Sequence, residues 1–209
     1  AFTKFPASLS NCVNLTYVDA SSTGLASSDS LFDMRNTQVN YLYLNYAKYT
    51  TLPDAICQLS LRPLTNISLS MAGMALTSIP ACFANNIYLY GIYTTNTNFT
   101  EFPTVITSLP ALALLQMQYN QQPIYASSMP DFSVMKNLYQ IDLSNFGVVG
   151  PFPLSLRNCP KLTYLQLNGN QFTGTLPDDF FEGTLIYAFF VTGSRLSGPM
   201  PSSAWKRVQ

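Results

Sequence analysis

A short stretch near the C-terminal end, residues 162–177, has a pattern that a chain can use only in repeated copies. In LTYLQLNGNQFTGTLP, Leu162, Leu165 and Leu167 follow an LxxLxL spacing, and an asparagine, a glycine and a proline come after them. Three apolar side chains on one face of a short strand need neighbouring strands to bury them. The stretch therefore predicts that the chain is built from repeats.

Such repeats occur along the chain at a period of about 24 residues. An apolar residue also precedes a proline at the close of most units, as in Leu52-Pro53 and Leu176-Pro177, and this second mark agrees with the period. We take the first apolar residue of each unit as its origin. The eight origins are Leu15, Val39, Leu64, Ile87, Leu112, Leu138, Leu162 and Ile186.

The repeated unit resembles that of the leucine-rich repeat family, and the closing sequences GVVGPFP, QFTGTLP and RLSGPMP are similar to the plant-type xLxGxIP. The resemblance implies an α/β-type solenoid, a curved right-handed superhelix with a parallel concave sheet. Short helical, 3₁₀ or extended segments would form its convex side. The unbroken period predicts one solenoid over residues 1–209, and because both ends fall inside units we expect a fragment of a longer chain.

Composition favours an extracellular or cell-surface protein. Only 10% of the residues are charged, against roughly 25% in ordinary soluble domains. The formal net charge is zero, so no nucleic-acid footprint is expected. No apolar run approaches the roughly 18 residues of a membrane span, so no direct membrane insertion is expected in this segment.

Catalytic, metal and cofactor sites are not expected. The chain has no histidine, which removes Ser-His and Cys-His pairs and the commonest metal ligand. Asp19 and Asp142 are the carboxylates on the predicted concave strands, and five strand spacings place them about 24 Å apart, too far for a glycosidase pair. Acidic residues directly after a proline are simply explained as first turns of short helices. These residues are Asp54, Asp131, Asp178, Asp179 and Glu182.

The four cysteines fall at two kinds of position. Cys12 and Cys159 lie six units apart, so we expect two free, buried thiols. Cys57 and Cys82 occupy the same position of adjacent units, which suits either a disulfide or two unpaired core thiols.

Three sequons give candidate N-glycosylation sites at Asn14, Asn66 and Asn98, although chance alone predicts about three. Asn98 is the best placed of them by sequence, since it lies in a polar turn. The turn asparagine that the family resemblance implies is present as Asn120 and Asn170, whereas Thr23, Ala47, Ala72, Thr95, Phe146 and Ser194 occupy the other units.

Tyrosines and amides concentrate at the concave positions, the first, second, fourth, sixth and seventh after each origin. Leu89 and Met71 are expected to add apolar area there. Two patches are expected, one of Tyr41, Tyr43, Tyr46 and Tyr88, and one on the last three units. The candidate ligand-binding residues are Tyr17, Tyr41, Tyr43, Tyr46, Tyr88, Tyr93, Gln116, Tyr119, Tyr139, Tyr164, Gln166, Asn168, Tyr187 and Phe190.

These residues favour a non-enzymatic recognition module that binds a protein, peptide or glycan, because tyrosine is enriched in binding hot spots. The other explanation of the face is that cross-strand aromatic pairs stabilise the sheet without a ligand. An alternative function is a structural building block that associates with copies of itself.

Overall fold

The computed structural model describes residues 2–26, 30–59 and 67–207. Twelve strands, numbered in chain order, lie in two parallel sheets within these residues. The first sheet has eight strands in chain order, one for each unit. Its strands are β1 (Tyr17–Asp19), β2 (Tyr41–Tyr43), β3 (Ile67–Ser70), β4 (Leu89–Tyr93), β5 (Leu114–Gln116), β7 (Gln140–Asp142), β9 (Tyr164–Gln166) and β11 (Ala188–Phe190).

A second parallel sheet has four strands in the order β12-β10-β8-β6. The strands are β6 (Ile124–Tyr125), β8 (Val148–Pro151), β10 (Gln171–Gly174) and β12 (Arg195–Leu196). They belong to the last four units, three of which have the plant-type closing sequence. In the described part of the chain, the C-terminal half is thus held by two hydrogen-bonded sheets and the N-terminal half by one.

Short 3₁₀ helices return the chain between strands, so the predicted α/β-type solenoid with short convex segments is confirmed. Seven of the eight follow a proline by one or two residues, and three of these start with that proline in extended conformation as the N-cap. None of the described helices is long and apolar enough to cross a membrane. The helices are η1 (Ala7–Asn11), η2 (Asp54–Gln58), η3 (Ala81–Asn85), η4 (Thr104–Ser108), η5 (Ala126–Ser128), η6 (Phe132–Val134), η7 (Leu154–Asn158) and η8 (Ser202–Arg207).

The helix expected after Pro177 is absent, since residues 178–183 form turns. Asp178 instead accepts hydrogen bonds from the backbone N–H and the hydroxyl of Ser202, each at 2.6 Å. Asp179 forms an ion pair with Arg157 at 2.9 Å, and hydrogen bonding to that guanidinium lowers the pKa of Asp179. These carboxylates join neighbouring units, whereas Asp54 does lie in the first turn of η2 and Asp131 caps η6 as expected.

Two of the eight predicted origins were wrong by two residues. The strand pairing aligns Leu42 with Leu69, and Leu69 with Ile92. The third and fourth units therefore start at residues 66 and 89, not at Leu64 and Ile87; residues 60–66, which include Leu64, lie outside the described part of the chain. A slip of two residues keeps every side chain on its own side of a strand, so the inward apolar pattern fits either choice.

Turn geometry decides between the two registers. With the corrected origins, the seventh residue after each origin has a positive φ, between 53° and 73°. This left-handed conformation is found mainly for glycine and asparagine. The eight residues are Ser22, Tyr46, Gly73, Asn96, Tyr119, Asn145, Gly169 and Gly193.

The turn asparagines act as the resemblance implied. The Asn170 side-chain amide donates to the Leu143 and Leu167 carbonyls at 2.8 and 2.9 Å, and its oxygen accepts from the Val148 N–H at 2.9 Å. The Asn120 oxygen likewise accepts from the Phe99 N–H, and its amide donates to the Phe99 and Gln122 carbonyls. In the corrected register Met74 and Thr97, not Ala72 and Thr95, share this position in the third and fourth units.

Cys57 and Cys82 are joined by a disulfide, with Cα atoms 5.6 Å apart, which links η2 to η3. Cys159 is free and buried, its thiol donates to the Phe132 carbonyl at 3.1 Å, and burial raises its pKa to about 12. Cys12 is free but exposed, so its expected burial was wrong. It follows η1, which has no buried residue.

Candidate binding face

The solvent-facing side of the eight-stranded sheet is where exposed side chains of all units meet. Strand residues alternate, so the second and fourth residues after each corrected origin point away from the core. We call this side the sheet face, and the two sets of side chains row two and row four. Row two is Tyr17, Tyr41, Ser68, Gly91, Leu114, Gln140, Tyr164 and Ala188; row four is Asp19, Tyr43, Ser70, Tyr93, Gln116, Asp142, Gln166 and Phe190.

Five tyrosines of the N-terminal units form the first aromatic patch, which consists of Tyr17, Tyr41, Tyr43, Tyr90 and Tyr93. The ring of Tyr17 lies 6.3 Å from that of Tyr41 and 5.4 Å from that of Tyr43. Burial raises the pKa of Tyr93, and the nearby Tyr43, Tyr90 and Tyr41 raise it further. The patch is therefore one continuous surface that crosses several strands.

Small residues leave room for Tyr93 within this patch. A Cβ atom added to Gly91 would lie 3.1 Å from Cε2 and 3.2 Å from the hydroxyl oxygen of Tyr93, and 3.3 Å from Oγ of Ser68. The Tyr93 side chain thus lies over Gly91 and close to Ser68. Any larger residue at position 91 would push the ring away from the sheet.

The second aromatic patch consists of Tyr139, Tyr164, Tyr187 and Phe190, on the last three units. The Tyr164 ring lies 6.5 Å from that of Tyr187 and 5.5 Å from that of Phe190. The neighbouring Tyr139 raises the pKa of Tyr187, with slight burial and a hydrogen bond to Tyr139 adding to the effect. Tyr187 is 72% exposed, so this patch offers accessible aromatic area.

A polar stripe separates the two patches, and it consists of Gln116, Gln118, Gln140, Asp142 and Gln166. Asp142 is 4% exposed although it lies on the sheet face. Its Oδ1 accepts from the Ser144 N–H at 2.9 Å, and its Oδ2 accepts from the Gln118 side-chain amide at 2.5 Å. Among the described side chains, those of residues 2–26, 30–59 and 67–204, no Lys or Arg forms an ion pair with it.

Comparison with known proteins identifies this repeat. The family model described as Leucine Rich Repeat matches residues 161–182, and the solved structures described below share the whole architecture. The chain has the leucine-rich repeat fold.

Its relatives by sequence are plant receptor-like proteins. It is 33% identical to Receptor-like protein 36 of Arabidopsis thaliana over 113 residues, which covers 53% of this chain and 15% of the relative. It is 27% identical to Receptor-like protein 7 of the same plant, with 84% of this chain and 17% of the relative covered. The leucine-rich repeat chain thus spans about a sixth of the length of these relatives. Like the repeats of receptor ectodomains, it is extracellular or at the cell surface.

Two solved structures show the same fold over nearly the whole leucine-rich repeat chain. One is the ectodomain of the Arabidopsis receptor kinase HAESA in complex with an IDA peptide hormone, with a TM-score of 0.68 and 22% identity. That comparison covers 97% of this chain and 34% of the other. The second is a plant ice-binding protein, with a TM-score of 0.67 and 25% identity, covering 96% and 63% of the two chains.

The structure brings most of the predicted face residues of this leucine-rich repeat protein together, but not all of them. Tyr88 packs partly against the core instead of joining the first patch. Leu89 and Met71 are fully buried, so the prediction that they add apolar area to the face was wrong. The two-residue slip explains all three errors.

Two other residues predicted to contact a ligand also make contacts within the protein. The Tyr46 ring covers Gly73 of the next unit at the edge of the sheet face. The side-chain oxygen of Asn168 accepts from the Thr192 N–H and hydroxyl at 2.9 and 2.8 Å. Both side chains therefore connect units, in addition to any contact with a ligand.

Sequence reasoning missed Tyr90 and Gly91 as parts of the face. Their face positions follow only from the corrected register of the fourth unit, for which the asparagine at residue 96 was the available signal, because asparagine tolerates a positive φ. The sequence pattern marks Asp142 only as a candidate catalytic carboxylate. It lies on β7 and Asp19 on β1, which are five strands apart in the sheet.

The candidate glycosylation sites differ in accessibility. Asn14 is exposed, whereas Asn98 is half-buried and its side-chain oxygen is enclosed. Asn66 lies outside the described residues. Asn14 is therefore the better placed of the two described sites. No group of three or more potential metal ligands is found in the described part of the chain.

Proposed function

We propose that this chain is a non-enzymatic recognition module of a longer receptor-like protein, and that it binds a protein or peptide segment across the sheet face. The observation that carries the proposal is the arrangement of two exposed aromatic patches on either side of a polar stripe. Tyrosine and its neighbouring amides combine apolar contact area with hydrogen-bonding groups, which is the chemistry of binding hot spots. The HAESA ectodomain, which has the same fold, was solved with a peptide hormone.

The fold alone does not select this function, since a plant ice-binding protein has it as well. Sheet stabilisation also remains a rival explanation, because the Tyr17–Tyr41 and Tyr164–Tyr187 contacts join neighbouring strands. Exposure favours binding: Tyr17 and Tyr187 keep 54% and 72% of their surface accessible. A tyrosine that served only the sheet would gain more from burial.

The test compares the wild-type protein with the double variant Tyr164→Ser/Tyr187→Ser in selections against a phage-displayed random peptide library. Tyr125→Ser is the matched control, since Tyr125 is 63% exposed but lies in the second sheet. We expect peptides that bind the wild type and the control but bind the double variant at least about tenfold more weakly. Thermal unfolding of the three proteins separates loss of binding from loss of fold.

Equal enrichment by the wild type and the double variant would refute the proposal. An interface of this composition should also bind with little dependence on salt, because it has few charges to screen. Light scattering of the purified protein tests self-association. If the mass increases with concentration in the wild type but not in the double variant, the sheet face mediates contacts between copies of the chain instead.

A further inference from the structure

Row four has a symmetrical order of side chains over five consecutive strands of the first sheet. From β4 to β11 the residues are Tyr93, Gln116, Asp142, Gln166 and Phe190. Asp142 is thus in the middle, two strands from an aromatic ring on either side. With strands about 4.8 Å apart, the backbone of each aromatic residue is about 9.6 Å from that of Asp142 across the sheet.

The carboxylate of Asp142 is buried with neutral partners. Its described hydrogen bonds come from the Ser144 backbone and the Gln118 amide, neither of which is charged. Burying a carboxylate without a cation is unfavourable, and natural proteins usually pair such a group. A cation that replaced the Gln118 amide would complete the pair.

A second polar group beside Asp142 also lacks a partner. Ser144, at the next outward-facing position of the same unit, is 6% exposed, and its hydroxyl has no hydrogen-bond partner among the described residues. A lysine ammonium or an arginine guanidinium has several donors, so it could bond to both the carboxylate and this hydroxyl. A divalent metal ion fits less well, because it prefers several carboxylate ligands and this position has one.

We propose that Asp142 binds a lysine or arginine side chain of a peptide that crosses the strands in a polyproline II conformation. Apolar or aromatic residues three positions before and after that cation would contact Tyr93 and Phe190. This inference rests on the proposed function, and it specifies the class of peptide that the sheet face binds.

Spacing selects the polyproline II conformation over a β-strand. A polyproline II helix has three residues per turn and rises about 3.1 Å per residue, so residues three apart point the same way at about 9.3 Å. That separation matches the distance of about 9.6 Å between the strand of Asp142 and the strand of each aromatic residue. In a β-strand, side chains on one side recur at about 6.7 Å and 13 Å, and neither spacing fits.

The experiment uses the synthetic peptide acetyl-YPSKPSY-amide as probe, together with one version in which norleucine replaces the lysine. A third peptide, acetyl-YPKSPSY-amide, shifts the lysine by one position. We expect the wild-type protein to bind the first peptide about tenfold or more tightly than either of the others, measured by calorimetry.

The test variant is Asp142→Asn and its matched control is Asp19→Asn. Asp19 lies in the same row, and its Oδ1 accepts from the Ser21 N–H at 2.9 Å just as Asp142 does from Ser144, but Asp19 is exposed. We expect Asp142→Asn to abolish the preference for lysine over norleucine and Asp19→Asn to keep it. Unchanged binding of the norleucine peptide shows that the variant is folded.

Either of two results would overturn the inference: a lysine preference that survives in Asp142→Asn, or equal binding of the shifted peptide. Failure of all three probes to bind, while the wild type still enriches other library peptides that lack a central cation, would also overturn it and leave the proposed function standing. A wild type that enriches no peptide at all would instead refute the proposed function.

Discussion

Gly73 and Gly183 have nearly the same backbone conformation, with φ of 68° and 69°, but different surroundings. A Cβ on Gly73 would overlap Cδ1 and Cε1 of the Tyr46 ring, whereas nothing lies within 4 Å of the same atom on Gly183. The two glycines therefore separate the effect of backbone conformation from the effect of a packed neighbour.

We expect Gly183→Ala to destabilise the fold by about 1 kcal/mol, the usual penalty of a left-handed non-glycine residue. Gly73→Ala should be worse by roughly 1 kcal/mol more, because the Tyr46 ring must leave its place. Chemical denaturation measures both. In a Tyr46→Ala background the difference between the two glycine variants should disappear, and its persistence would show that the ring is not the cause.

The elements of the fold could be predicted from sequence where the apolar pattern and the turn residues agreed. The units that start at Leu112 and Leu162 combine both signals, and their strands pair with the strand between them as predicted. In the third unit, Ile67, Leu69 and Met71 are all apolar and fully buried, so the inward pattern could not distinguish two registers. Hydrogen bonding in the turns makes that choice, and it depends on backbone geometry that periodicity does not contain.

The same uncertainty of register decides which parts of the candidate site could be predicted from sequence. Tyr164, Tyr187 and Phe190 lie in well-marked units, and the patch predicted for them is present in the structure. Tyr90 and Gly91 belong to the slipped fourth unit and were missed. The burial of Asp142 could not be predicted, because it depends on the Gln118 side chain of the preceding unit.

Turn asparagines join the elements of one unit to those of the next, and Asn170 tests their contribution. In Asn170→Ala, the buried Val148 N–H and Leu167 carbonyl lose the bonds from Asn170, whereas the Leu143 carbonyl keeps its bond from the Phe146 N–H. We expect a loss of about 2–4 kcal/mol in the free energy of unfolding, since each unpaired buried group costs roughly 1–3 kcal/mol.

Asn168→Ala is the control for Asn170→Ala. Its side-chain oxygen bonds to the exposed Thr192, where water can replace it. The loss measured by denaturation should stay below about 1 kcal/mol. Equal losses in the two variants would contradict the importance assigned to the buried asparagine.

At the scale of the whole molecule, the two halves are held together differently. The last four units have a second sheet, whereas the disulfide joins η2 and η3 in the N-terminal half. In a solenoid each unit contacts only its neighbours, so a local change should have local effects.

We therefore expect Cys57→Ser/Cys82→Ser to lower stability by about 3.5 kcal/mol, from the chain-entropy model for a closed loop with a sequence separation of 25. Hydrogen exchange should increase mainly around β2 to β4 and change little in the last four units. Cys12→Ser, at an exposed free thiol, serves as the control and should have no effect. A uniform increase over all eight units would contradict local coupling.

The left-handed turn position has a consequence for how the sequence can change by mutation. Tyr46 occupies this turn position in the second unit and gains contact area by covering Gly73, which occupies it in the third. Tyr119 occupies the position in the fifth unit, where the next unit has Asn145, and Tyr119 remains 55% exposed. Selection for stability alone would favour glycine or asparagine at residue 119, since either adopts a positive φ more easily. A tyrosine at this exposed position of positive φ thus gives up folding stability that glycine or asparagine would keep.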